Sequence, residues 1–377
     1  MKIVVAPDSF KGSLTAAEVA EHIERGILTV LPDAEIIKVP MADGGEGTAQ
    51  ALVNATGGEL IYKEVTGPLG NRVRACFGLL GNGQSAVIEM ATASGLELIK
   101  DDKLDPMKTT TYGTGELIKE ALDRGVKELI IGIGGSATVD AGAGMAQALG
   151  ASFKDKRAKE IGFGGGELNK IKEIDLANFD KRIREIEVKV ACDVSNILYG
   201  PDGAAYIYGP QKGATPEMVK QLDDNLRYFS GLVKDQLGID LAVIKGGGAA
   251  GGLGAGLVAF LGAALEPGVE LVLKANKIEE KLNAADLVIT GEGKIDSQTV
   301  KGKTPIGVAK KAKERNIPVV ALAGIVDESA DKVYDAGIES VFSIIQKPAD
   351  LNEAYKRSGE WLARTSGQII RLYKIGK

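Results

Sequence analysis

The first part of the chain switches between two apolar rhythms. Ile3, Val4 and Val5 form an unbroken apolar run over Lys2–Ala6, as a buried strand requires, and over Ala16–Ile27 apolar residues fall on one helical face. Thr15-Ala16-Ala17-Glu18 has capping-box spacing, in which hydroxyl and carboxylate each satisfy a backbone N–H. Glu35–Pro40 predicts a second strand, Met41–Gly45 a loop, Glu46–Thr56 a helix and Glu59–Val65 a third strand. The C-terminal part repeats the alternation, with strands over Asp286–Thr290, Ile317–Ala323 and Ser340–Ile344. Helices are predicted over Thr304–Arg315, briefly around Val333, and from Asp350 to about Tyr373. Such alternation predicts a parallel sheet covered by helices.

The middle reads differently. Arg72–Leu80 and Ser85–Met90 flank Gly81-Asn82-Gly83-Gln84, a hairpin signal because Asn-Gly accepts the positive φ of tight turns. Lys154–Glu187 is charge-rich and broken by a glycine cluster at 162–166, which predicts an exposed excursion. The expected architecture is α/β with two domains. A Rossmann-like three-layer parallel-sheet domain would be built from residues 1–66 and 286–377, with a mixed α/β domain, 67–285, inserted. A cleft between them is the default ligand site.

Composition narrows the function. Of 377 residues, 44% are hydrophobic and 26% charged, which excludes disorder as the main state. The net charge of −5 comes without a basic block, so neither nucleic acid nor an anionic membrane is an expected partner. Cys76 and Cys192 are too far apart in sequence for a CxxC pair, which argues against a disulfide framework or structural zinc. Met1 leads directly into a strand rather than into the apolar core of a signal peptide, and Gly251–Leu265 falls short of the ~20 residues of a membrane span. A soluble cytoplasmic protein is expected. The single histidine, His22, lies inside a predicted helix, so acid–base chemistry falls to carboxylates, lysines or tyrosines.

Glycine, at 50 residues, is in excess and clusters in loops that also carry charge. Asp8-Ser9-Phe10-Lys11-Gly12-Ser13 follows the first strand, where an anion-binding loop with Lys11 as its charge and an ordinary capped turn both fit. Asp43-Gly44-Gly45-Glu46 reads as a polar substrate loop or a capped helix start. Gly132-x-Gly134-x-x-Ala137 and Gly246-x-Gly248-x-x-Gly251 formally match the dinucleotide pattern. No strand-borne acid follows about twenty residues on, since Asp155 lies in a Lys-rich segment. A turn wrapping phosphates with backbone N–H groups at Gly134, Gly135, Ser136 and Thr138 fits equally well. Asp193 closes an apolar strand, with Lys212 on a glycine turn downstream, and pairs a base with a cation. Glu292 and Asp296 could hold hydrated Mg²⁺, with Lys294 between them. Gly302-Lys303-Thr304 lacks the upstream glycine of a phosphate-binding P-loop. Glycine backbone, carboxylates and lysines without histidine are the set that phosphoryl transfer uses.

Six segments, in order, resemble the glycerate kinase type 1 family: Asp8–Ser13, Ala42–Gly47, Ile133–Thr138, Gly209–Ala214, Gly248–Gly254 and Gly291–Asp296. The chain departs from the family's usual pattern at Val139 and Ala141, which flank Asp140, and at Ile197, which follows Asn196. The resemblance implies an ATP- and Mg²⁺-dependent kinase producing 2-phosphoglycerate from D-glycerate, with the 3-hydroxyl as the alternative acceptor. Asp193, Lys11, Lys212 and Lys294 are the expected catalytic residues. Asp8, Ser9, Asp43, Gly44, Gly45 and Glu46 are expected to bind substrate, Gly134, Gly135, Ser136 and Thr138 the ATP phosphates, and Glu292 and Asp296 the metal. A nicotinamide-dependent hydroxy-acid reductase and a non-catalytic sugar-acid sensor are the remaining readings.

Overall fold

The computed structural model describes residues 1–42 and 44–375. In chain order its strands are β1 (Lys2–Pro7), β2 (Glu35–Lys38), β3 (Glu59–Thr66), β4 (Arg72–Leu79), β5 (Ser85–Glu89), β6 (Glu128–Gly132), β7 (Ser152–Lys154), β8 (Glu173–Asp175) and β9 (Glu187–Ala191). They continue with β10 (Ala264–Glu266), β11 (Leu287–Ile295), β12 (Val319–Val326) and β13 (Ser340–Ser343). The helices that matter below are α1 (Ala16–Leu28), α2 (Thr48–Thr56), α3 (Leu253–Leu261), α4 (Thr304–Lys313) and α5 (Leu351–Ile375). The chain forms two compact units: Met1–Asp43 with Gln50–Gly57 and Val269–Lys377, and Gly44–Ala49 with Gly58–Gly268.

The first unit is built on a five-stranded sheet of order β13-β12-β11-β1-β2, parallel throughout. The α1 capping box is present: the Thr15 hydroxyl accepts from Glu18 N, and Glu18 Oε2 accepts from Thr15 N. Val19, Ile23 and Ile27 of α1 share a core with Trp361, Leu362 and Ile370 of α5 and with Ile3, Val5 and Ile289 of the sheet. The alternate strand residues Val4 and Val288 are equally buried, so both sheet faces are covered, as near-continuous apolar strands require.

The second unit carries a six-stranded mixed sheet of order β10-β9-β6-β5-β4-β3. β5, β6, β9 and β10 run parallel, whereas β4 and β3 are antiparallel additions. The hairpin signal is realised between β4 and β5, where Asn82 Oδ1 accepts from Gln84 N and Ser85 N.

Three expectations change. Glu59–Thr66 pairs antiparallel with β4 and does not extend the parallel sheet of β1 and β2. Its Tyr62, Lys63 and Glu64 are exposed, as an edge strand tolerates and an interior one does not. The 154–187 segment is not merely an exposed excursion, because Leu168, Ile171 and Ile183 are buried in the second unit's core. Finally, β11 continues through Ile295, so Gly291, Glu292 and Lys294 sit on a strand paired with β12 rather than in a loop.

Candidate active site

In the second unit, four parallel strands end at one level. The register pairs Glu89 with Gly132, Gly132 with Ala191, and Ala191 with Glu266, so the segments leaving β5, β6, β9 and β10 emerge side by side. Carboxyl ends of parallel strands are where α/β proteins gather ligands.

The segment after β6 is the turn at Gly134, Gly135 and Ser136. Gly135 has φ +74°, a left-handed conformation that glycine adopts without penalty. Gly134 and Gly135 are exposed, and among the described residues no acceptor is paired with the N–H groups of Gly134, Gly135 or Ser136. Successive N–H groups around a left-handed residue make a concavity that attracts anions.

Behind this turn lies Lys212, on the single helical turn Pro210–Lys212, and the structure differs here from the expectation of a substrate-facing lysine. Its side chain is 1% exposed, and Nζ donates to Ser136 Oγ and to Thr138 O, both at 2.7 Å. Burial pulls the ammonium down to about 7, with the neighbouring Asp140 opposing the shift. Asp140 is itself buried. It accepts from Thr111 N (2.8 Å), Thr111 Oγ1 (2.9 Å), Gly142 N (3.1 Å) and Gly144 N (3.3 Å), while burial pushes its carboxyl upward. Thr138 is fully buried too, so its side chain faces away from any ligand held on the outer surface of the turn.

Lys212 has a measurable signature. The folded lysine binds fewer protons than an unfolded one, whose value is about 10.4, so this group makes stability rise with pH from about 7 to about 10. Denaturant titrations across that window should show Lys212→Met losing a slope approaching 1.4 kcal/mol per pH unit, as one proton contributes about that much.

The loop beyond β9 brings Asp193 to the same edge. Cys192 N donates to Glu266 O at 2.9 Å, and Asp193 Oδ1 accepts from Gly268 N at 3.0 Å, which helps to fix the carboxylate of this exposed residue. Gly44, Gly45 and Glu46 also lie here: a Cβ built on Gly134 would stand 3.8 Å from Gly45 Cα. Asp43 lies outside the described residues.

Glu89, which the sequence did not single out, seats this loop. Its Oε1 accepts from Ala49 N at 2.7 Å and its Oε2 from Gly47 N at 3.2 Å, so the start of α2 is capped by a buried carboxylate. Burial pushes Glu89 upward while these N–H groups pull it back. The one available signal was a carboxylate ending an apolar strand, Ala86 to Ile88.

The second Gly-rich segment is a packing device. Gly251 (φ +68°) lies so close to the 138–141 loop that a Cβ there would be 1.8 Å from Thr138 O, and Gly251 O accepts from Ala141 N. The formal dinucleotide match at 246–251 therefore marks close backbone contact.

The first unit has its own polar cluster at the ends of β1 and β11. Thr304 Oγ1, at the start of α4, donates to Asp8 Oδ2 at 2.7 Å, and Ser9 N to Asp8 Oδ1 at 2.6 Å. Lys11 is exposed. Glu292, 8% exposed, accepts from Thr299 Oγ1 at 2.5 Å and from Lys303 Nζ at 3.2 Å, and burial pushes its carboxyl up. Lys294, on the more open side, reaches Asp296 at 3.1 Å and Asp327 at 3.4 Å. The Gln298 N–H, together with Lys294, holds Asp296 below the usual carboxylate range. Among the described residues no group of three or more metal-ligating side chains gathers. Glu292 and Asp296 thus each carry an ammonium partner, Lys303 and Lys294 respectively.

An α/β scaffold whose carboxyl edge presents free N–H groups, an anchored aspartate and glycine loops defines a small-molecule enzyme suited to anionic ligands. Comparison with known proteins narrows the class. The model of the glycerate kinase family matches residues 3–374. The chain is 52% identical over 377 residues to a glycerate kinase of Bacillus subtilis, covering 100% of this chain and 99% of the relative. It is 50% identical over 376 residues to the glycerate 2-kinase of Escherichia coli, covering 100% and 99%. A crystal structure described as a putative glycerate kinase 2 of Salmonella typhimurium superposes with a TM-score of 0.93 at 51% identity, covering 100% and 99%. The chain belongs to the glycerate kinase family. Among the described residues no helix is long and apolar enough to cross a membrane.

Proposed function

We propose that this chain transfers the γ-phosphoryl group of ATP to the 2-hydroxyl of D-glycerate, giving 2-phosphoglycerate and ADP, and that it is of the family's type 1. The observation that carries the reading is the run of free N–H groups at 134–136 beside the anchored Asp193 at one sheet edge. The six ordered motifs support the type 1 assignment, and we place the reaction in the cytoplasm.

In the proposed mechanism the glycerate hydroxyl oxygen attacks the γ-phosphorus, the bond to the β,γ-bridging oxygen breaks, and ADP leaves. Asp193 orients the hydroxyl and takes its proton, a role open to an exposed carboxylate that Gly268 N helps to hold. The N–H groups of Gly134, Gly135 and Ser136 hold nucleotide phosphate oxygens, and preorganised donors of this kind need no reorganisation during transfer. Gly44, Gly45 and Glu46, with Asp43, and Asp8 with Ser9, orient the glycerate. Lys11 and Lys294 supply charge to the transferring group or to the glycerate carboxylate. Glu292 and Asp296 would hold Mg²⁺, which when bound with the nucleotide offsets phosphate charge.

Incubation with D-glycerate, ATP and Mg²⁺ followed by ³¹P NMR tests the assignment. A 2-phosphoglycerate resonance is expected. A 3-phosphoglycerate resonance would move the acceptor to the other hydroxyl, and intact ATP with folded protein would overturn the kinase reading.

A further inference from the structure

We propose that Lys212 is a positioning residue that works from inside the protein: it braces the 134–138 turn through Ser136 Oγ and Thr138 O and lends its charge to an anion held on the turn's outer surface. The inference rests on reading that turn as the nucleotide phosphate site.

The geometry separates Lys212 from an ordinary phosphate-binding lysine. Its Nζ is buried, its two acceptors both belong to the turn, and each is 2.7 Å away. Ser136 and Thr138 are neutral, so neither compensates the charge. Asp140, below the same loop, is the charged group that acts on Lys212, and its carboxylate is already occupied by four donors. The unpaired N–H groups of 134–136 and the buried ammonium thus bring positive charge to the same short segment.

A cation so placed responds to what binds outside. Burial pulls Lys212 down to about 7, so its proton is exchanged near neutral pH. An arriving phosphate favours the protonated form, so binding draws a proton from solvent, and by linkage the protonated enzyme binds the phosphate more tightly. A lysine that merely filled space would produce neither effect.

Calorimetric titration with ADP, using the full chain from about pH 6 to about pH 9 in two buffers of different ionisation enthalpy, tests this. Wild-type protein should take up a fraction of a proton on binding near neutral pH, with affinity falling as pH rises through the range. Lys212→Met should lose that uptake and bind ADP about tenfold more weakly at the acid end, within the usual range of coupling between two sites. A folded Lys212→Met protein that keeps wild-type affinity and proton uptake would overturn the proposal. Should that variant fail to fold, the wild-type proton count decides, and binding without uptake overturns it. Gly134→Val separates the underlying reading from the inference. A Cβ at 134 meets Gly45 Cα at 3.8 Å, an ordinary contact, and no atom of Lys212 within 4 Å, so the side chain adds bulk on the exposed side of the turn. Unchanged ADP affinity in Gly134→Val removes the turn from nucleotide binding and overturns both. Lost affinity there, with Lys212→Met unchanged, overturns the role of Lys212 alone.

Discussion

Asp193→Asn is expected to lower turnover by about 10²–10⁴-fold, the usual contribution of a positioned general base. The carboxylate follows β9, accepts from Gly268 N through Oδ1, and lies on an exposed residue. Asparagine can keep that hydrogen bond through its carbonyl oxygen, so the loop should hold its shape while the basic oxygen disappears. Steady-state rates with glycerate and ATP, beside ADP titrations of the same variant, separate the two effects. Turnover should collapse with nucleotide affinity unchanged. Turnover within about threefold of wild type would remove Asp193 from the chemistry.

Gly251→Ala is expected to destabilise the protein by about 4 kcal/mol or more, among the larger effects of a single substitution. Two costs combine. The backbone is left-handed, at φ +68°, and the new Cβ would sit 1.8 Å from Thr138 O, which is backbone and cannot swing aside. Gly238→Ala is the control. It has nearly the same φ, +75°, with nothing within 4 Å, and should cost only about 1–2 kcal/mol, as left-handed alanine does. Urea midpoints of the two variants measure the difference. Because Thr138 O is also an acceptor for Lys212, any Gly251→Ala protein that folds should bind ADP more weakly, whereas Gly238→Ala should bind normally.

Local chemistry made much of this readable from the chain alone. Thr15 and Glu18 are three residues apart and cap the same helix, so spacing reveals them. Asn82-Gly83 carries its own turn, and the apolar runs around Val4 and Val288 announce strands covered on both faces. What escaped depends on distant partners. β3 has a strand-like sequence, but whether it pairs with β2 or β4 is a matter of topology; Lys63 and Glu64, charges suited to an edge, were the clue. Lys212 looks like any lysine in a glycine turn, because its burial is created by Ser136 and Thr138, more than seventy residues earlier. Glu89 ends a hairpin strand and acquires its role only when the start of α2 meets it. Glycines at 291 and 293 interrupt the apolar pattern and suggest a loop at Glu292 and Lys294, yet β12 supplies ladder partners that carry the strand through them.

The position of β1 has a consequence for how the protein is made. β1 lies between β2 and β11, and its register to β11 pairs Ile3 with Leu287 and Pro7 with Gly291. On the ribosome, β1 and β2 must wait for a neighbour encoded some 250 residues later, roughly 10–50 s at 5–20 residues per second. Longer still, the apolar face of α1 waits for Trp361 and Leu362. The six-stranded sheet needs nothing beyond Glu266 and can close while synthesis continues. Nascent chains stalled once Glu266 has cleared the ribosome should therefore hold one finished sheet and one sticky, unpaired leading segment, the part of the polypeptide most in need of chaperone cover during translation.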